Sequence, residues 1–225
     1  MSERVVKATG GPDPARRGYR SPKREQAALE TRRRIRSTAE RLFLRDGYIP
    51  TTTRAISREA GVAEMTLFNA FPSKAALLSE IVRVNLRGDD RDAPVPNRTI
   101  WPEILNSPAD EILRRFAEFN GNVLARTARV LALAEAAADS DPELALRRDN
   151  AHGQVRSDFR QVADALDANG ALPDTVTPQH AADTIYVLAN EVVYLRLIDE
   201  CGWSTARYVN WLADILQTSL TRPKH

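Results

Sequence analysis

The chain has 225 residues, enough to bury one good core or one small and one medium domain, and its 43% hydrophobic and 28% charged content is that of an ordinary globular protein. No apolar run approaches the roughly 20 residues of a membrane span, the N-terminus has no apolar signal-peptide core, and the single cysteine, Cys201, excludes an internal disulfide, so a cytoplasmic protein is the expectation. The net charge of +2 hides an asymmetry: residues 1–87 carry 18 Lys/Arg against 9 Asp/Glu and the remainder 14 against 21, which points only the first part at a polyanion.

Residues 1–27 are rich in Gly, Pro and Arg and poor in large apolar groups, so they read as a flexible basic arm. Its arginines suit either a non-specific phosphate contact or a solubilising tail. Residues 28–46 place Ile35, Ala39, Leu42 and Phe43 on one helical stripe, with arginines crowding the other faces. Gly47 ends that helix. The stretch Thr51–Lys74 then reads as two short helices around a glycine turn. Threonines open the first, Ile56 and Ala60 mark its buried face, and Gly61 stops it in the left-handed conformation that a residue without Cβ takes cheaply. Leu67 and Phe71 mark the buried face of the second, which Pro72 cannot continue, and Ser73 caps a further helix from Lys74 to Arg87. This is a helix-turn-helix pattern, whose second helix can enter a DNA major groove.

Residues 88–98 break the periodicity. Beyond them the pattern is helical throughout: Asp110–Thr127, an apolar Val130–Ala138 read as a central buried helix, a helix capped by Asp141 running to about Asp167, a long apolar helix from Thr177-Pro178 to about Asp199, and a last helix after Ser204. No strand alternation is present, so the fold class is all-α. The divisions are an arm over 1–27, a helix-turn-helix DNA-binding domain with connecting helix over 28–87, and a helical effector-binding and dimerisation domain over 88–225.

The run 32–78 resembles the TetR family of bacterial transcriptional regulators. Leu42-Phe43, Gly47-Tyr48, Thr52-Thr53, Ala60-Gly61-Val62, Leu67-Phe68 and Phe71-Pro72-Ser73-Lys74 follow that family's spacing without a gap. The corner Cys201-Gly202-Trp203-Ser204 is similar to C-terminal domains of the same family. The resemblance implies a homodimer whose two helix-turn-helix units read a palindromic operator on double-stranded DNA. It also implies a helical C-terminal domain holding a small-molecule effector, with its last two helices making the dimer bundle. Carried over residue by residue, it makes Thr52 a helix cap touching phosphate and brings Arg54 to the backbone or a base edge. It puts Glu64, Met65, Thr66, Phe68 and Asn69 on the exposed side of the recognition helix, and sets Lys74 on phosphate. Three departures bear on DNA affinity. Ala63 stands where a hydroxyl residue commonly caps the recognition helix, Glu64 either reads a cytosine or repels phosphate, and Phe68 replaces a tyrosine.

Effector-pocket candidates in the second half are Trp101, Phe116, Phe119, Asn120, Val123, Phe159, Tyr186, Asn190, Glu191 and Tyr194, each with plain core packing as the competing role. Dimer-interface candidates are Ile185, Leu188, Val192, Leu195, Trp211, Leu212 and Ile215. The three histidines are scattered, and neither metal-ligand spacing nor a phosphate-binding or nucleophile motif is present, so neither catalysis nor a cofactor is expected. The function that follows is a ligand-responsive dimeric repressor released from its operator by a small organic molecule. Its rivals are a helix-turn-helix dimer without an effector and a protein-interaction dimer that has lost DNA binding.

Overall fold

The computed structural model describes residues 22–88 and 97–222, and every regular element among them is helical. The arm before Pro22 and residues 89–96 of the expected linker lie outside the described residues. Helix α1 spans Pro22–Asp46 and so begins six residues earlier than the apolar stripe indicates. Proline at a first helical position loses nothing, because that amide has no partner in any case. α2 (Thr53–Glu59), α3 (Glu64–Ala70) and α4 (Lys74–Arg87) follow with the expected punctuation. Thr52 accepts from Ala55 N, Ser73 accepts from Ala76 N, and Gly61 has φ +64°.

After α5 (Asn97–Leu105), the two helices expected over 110–138 are one helix, α6 (Ala109–Ala138), since nothing at 128–129 interrupts it. Its end is not buried all round: Val130, Ala137 and Ala138 are buried while Ala136 is exposed. α7 (Pro142–Ala168) starts on the Asp141 cap, although Leu146 and Val155 of its expected apolar side are exposed. The long helix expected over 178–199 is instead broken. α8 (Pro178–Leu188) ends at Ala189, and Asn190 caps a short α9 (Glu191–Leu195) by accepting from Val193 N. The chain continues π-helically over Arg196–Glu200 before α10 (Thr205–Leu220). An asparagine whose side chain captures a nearby amide competes with the helix ladder, which accounts for the break.

Two cores result. One joins Ile35, Leu42 and Phe43 of α1, Ile56 of α2, Leu67 of α3 and Leu77, Leu78 and Ile81 of α4 to Val130, Ala137 and Ala138 of α6 and Leu144 of α7. The other packs Ile112, Leu113 and Phe116 of α6 with Phe159, Val162 and Leu166 of α7, Ile185 of α8 and Tyr208, Leu212 and Leu216 of α10. Helix α6 belongs to both. Where α6 crosses α10, Gly121 leaves no room for a side chain, since a Cβ there would stand 2.3 Å from Val209 Cγ2.

Candidate nucleic-acid interface

Helix α3 buries Leu67 completely and turns Glu64, Met65, Phe68 and Asn69 outward, with Thr66 half-buried beside them. Met65 is 71% and Phe68 42% exposed, unusual for such side chains unless something covers them. Ala63 makes no side-chain cap, so the start of α3 lacks the hydroxyl acceptor that Thr52 gives α2. Glu64 is not free. Its Oε1 accepts from Thr53 Oγ1 at 2.9 Å, which ties the recognition helix to the start of α2. Arg54 and Arg58 are exposed on α2, beside this face in sequence.

Lys74 is placed differently from the sequence expectation. Its Nζ donates to Tyr48 O at 3.0 Å and Thr51 O at 3.2 Å, and sits 4.1 Å from the Tyr48 ring centroid. Burial pushes its pKa below the ordinary lysine value, and the nearby Asp141 charge acts in the opposite direction. The ammonium therefore pins the turn before α2 rather than standing free for phosphate. Arg32 of α1 acts likewise at the other end of the motif: it donates to Ala70 O and stacks 4.1 Å from the Phe71 ring centroid, closing the end of α3. The sequence gives no signal for this, because one arginine among several on a helix looks like any other.

The motif is tied to the second half at one place. Tyr48 donates to Asp141 Oδ2 at 2.7 Å, and Ser73, the α4 cap, donates to Glu143 Oε2 at 3.0 Å. Burial first, and then the bond to Asp141, raise the Tyr48 phenol well above its ordinary pKa.

The ten effector candidates do not converge on one cavity. Trp101, Phe116, Phe119 and Phe159 form an aromatic cluster, with Phe116 fully buried and edge-on to Phe159 at 5.2 Å. Asn120 donates to Tyr208 Oη at 3.3 Å, and Tyr194 meets Tyr208 edge-on and shares a hydrogen bond with Thr205. Tyr186 lies apart, with Arg156 4.9 Å from its ring centroid, while Asn190 is occupied as a cap and Glu191 is half-buried in the first turn it caps. Only Phe119 and Val123 line an open groove of ≈ 660 Å³ between α5 and α6, together with Ile104, Asn122, Arg115 and Arg126. Of the interface candidates, Ile185 and Leu212 are wholly inside the protomer's own core. Val192 is exposed, and Leu188, Leu195, Trp211 and Ile215 are half-buried. Among the described residues, no cluster of three or more His, Cys, Asp or Glu could hold a metal ion, and no helix is long and apolar enough to cross a membrane.

A capped helix, a glycine turn and a second helix with an outward apolar and polar face, packed on an all-helical body, define a helix-turn-helix DNA-binding regulator. Residues 35–81 match the model of the bacterial regulatory proteins of the tetR family; they are a TetR-family DNA-binding domain, and the chain as a whole has the fold of that family's regulators. Similar solved structures include NalD, the secondary repressor of the MexAB-OprM multidrug efflux pump in Pseudomonas aeruginosa (20% identity, 88% of this chain and 100% of that chain, TM-score 0.66). A TetR-family regulator from Agrobacterium tumefaciens is similar at 18% identity over 87% of this chain and 100% of that one, with a TM-score of 0.63. The SmeT–triclosan complex is similar at 16% identity over 86% and 92%, with a TM-score of 0.67. No curated protein matches the chain.

Proposed function

We propose that this protein is a dimeric, cytoplasmic repressor that leaves a palindromic operator when a small organic molecule binds its second half. The observation that carries the DNA-reading part is the outward face of α3, where Glu64, Met65, Phe68 and Asn69 stand clear of a core anchored by Leu67. In this reading residues 28–87, with the first turns of α1, read DNA, and residues 88–225 hold the effector and the partner protomer. Two recognition helices must sit about 34–36 Å apart to enter successive major grooves, and one chain supplies only one.

The groove between α5 and α6 is the best-supported effector site. Apolar Ile104, Phe119 and Val123 share it with Arg126, whose guanidinium also reaches Asn85 O at 3.5 Å and Leu86 O at 3.4 Å at the end of α4. A mostly apolar molecule with a polar end that draws Arg126 away would release the end of α4, the helix that joins the two halves. Differential affinity for two positions of α4 then lowers operator affinity. The similarity to a multidrug-pump repressor and to a triclosan-bound protein supports an apolar organic effector.

The test is binding of the purified protein to DNA flanking its own gene, by fluorescence anisotropy at two salt concentrations with non-specific competitor. Competitor-resistant binding that weakens with salt is expected, and should fall again when an effector saturates the groove. Unchanged operator affinity at saturating effector would sink the release mechanism. Binding no better than to random DNA at every candidate operator would favour the interaction-dimer alternative.

A further inference from the structure

A shallow groove of ≈ 450 Å³ runs along the outer face of α10, lined by Trp203, Arg207, Asn210, Trp211, Asp214 and Thr218, with Ile215 beside them. Arg207 and Asp214 are exposed, and neither has an ion-pair or side-chain hydrogen-bond partner among the described residues. They stand two turns apart on one face, about 10 Å along the axis, too far to meet each other. The Arg207 guanidinium is held in place 4.3 Å from the Trp203 ring centroid.

The lining has a symmetry that an ordinary surface lacks. Reversing the direction of α10 about the point midway between Asn210 and Trp211 exchanges Arg207 with Asp214, Trp203 with Thr218, and Asn210 with Trp211. It also sets the bulky Ile215 over the small, exposed Ala206. A two-fold interface requires this kind of self-complementarity, because residue i meets j wherever j meets i.

We propose that α10 pairs antiparallel with α10 of a second copy of this chain, on a two-fold axis passing between Asn210 and Trp211, with Arg207 and Asp214 forming two reciprocal ion pairs across it. The inference rests on the dimer reading above and adds its register and the basis of its partner choice. The half-buried Trp211 and Ile215 supply the apolar centre, and the charges flank it and exclude other alignments. A one-turn slip would set Arg207 opposite Asn210 or Thr218 and leave every charge unpaired.

The full chain tests this without any knowledge of operator or effector. Arg207→Glu and Asp214→Arg are prepared as single variants carrying tags of different mass. Because both side chains are exposed, the protomer fold is retained. Each variant alone faces two like-charge contacts across the axis, and its dimer dissociation constant should rise at least about tenfold. In an equimolar mixture each partner supplies the complement of the other, and native mass spectrometry should show mostly heterodimer with near wild-type stability. Weakened single variants whose mixture gains nothing, or single variants as tight as wild type, would overturn the register while leaving a dimer in place. A wild-type chain that stays monomeric at micromolar concentration would overturn the dimer reading itself.

Discussion

The hydroxyl of Tyr48 donates to Oδ2 of Asp141 at 2.7 Å across 93 residues of sequence, while Oδ1 of the same carboxylate accepts from the amides of Glu143 and Leu144. One carboxylate thus starts α7 and holds the turn that precedes the helix-turn-helix. Tyr48→Phe keeps the ring against Phe43 and beneath Lys74 but loses the donor. It should cost about 1–2 kcal/mol in urea unfolding, and Asp141→Ala, which also loses the cap, about 2–3 kcal/mol. A double-mutant cycle should return a coupling of about 1 kcal/mol; additive losses would show that the bond is idle.

The same bond predicts a response to alkali. Burial, and for Tyr48 the Asp141 bond, hold the phenols of Tyr48 and Tyr208 above the ordinary tyrosine value. Above about pH 10 the unfolded chain releases these protons while the folded chain keeps them. The stability they contribute is therefore complete below that pH and is lost as pH rises toward the folded values. Urea midpoints at pH 8, 10 and 11 should fall more steeply in the wild type than in Tyr48→Phe.

Lys74→Ala separates a structural from a phosphate role. Losing the bonds to Tyr48 O and Thr51 O should destabilise the N-terminal core by about 1–3 kcal/mol. The slope of log affinity against log salt should stay at the wild-type value. A slope shallower by about one would put Lys74 on a phosphate instead.

Ala63→Ser adds the missing acceptor at the start of α3, where the backbone already has the extended φ of −68° and ψ of 147° that a cap requires. The gain should be about 1 kcal/mol, read as a higher thermal midpoint with unchanged helical content.

Gly121→Ala should do the reverse of what helix propensity suggests. Alanine favours a helix interior by about 1 kcal/mol, but its Cβ falls within Val209 and overpacking costs about 1–3 kcal/mol. A net loss of stability is expected, and Val209→Ala in the same chain should recover part of it.

Local chemistry made the helix-turn-helix legible. Thr52, Gly61 and Ser73 act through bonds or backbone angles within three residues of themselves, so their roles can be read from order alone. The all-α class followed from apolar spacing in the same way. Lys74, Arg32 and Gly121 were illegible for the opposite reason, since each takes its role from a partner 23 to 88 residues away that no spacing announces. Asn190 marks an intermediate case. Its capping chemistry is local, but an apolar stripe running on either side masked the break. The buried polar groups expected to line a pocket, Asn120 among them, proved satisfied by each other, and burial alone does not tell a lining from a core.

Helix α6 is the rod on which this arrangement turns. From Gly121, where it is seated against α10 with no slack, to Ala138 in the N-terminal core, it extends about 25 Å, so a tilt of about 5° at the glycine swings the far end by about 2 Å. A displacement too small to disturb the packing at the fulcrum is thereby magnified where the DNA-reading helices are anchored. The tightness of that single crossing then sets how much play the reading heads have.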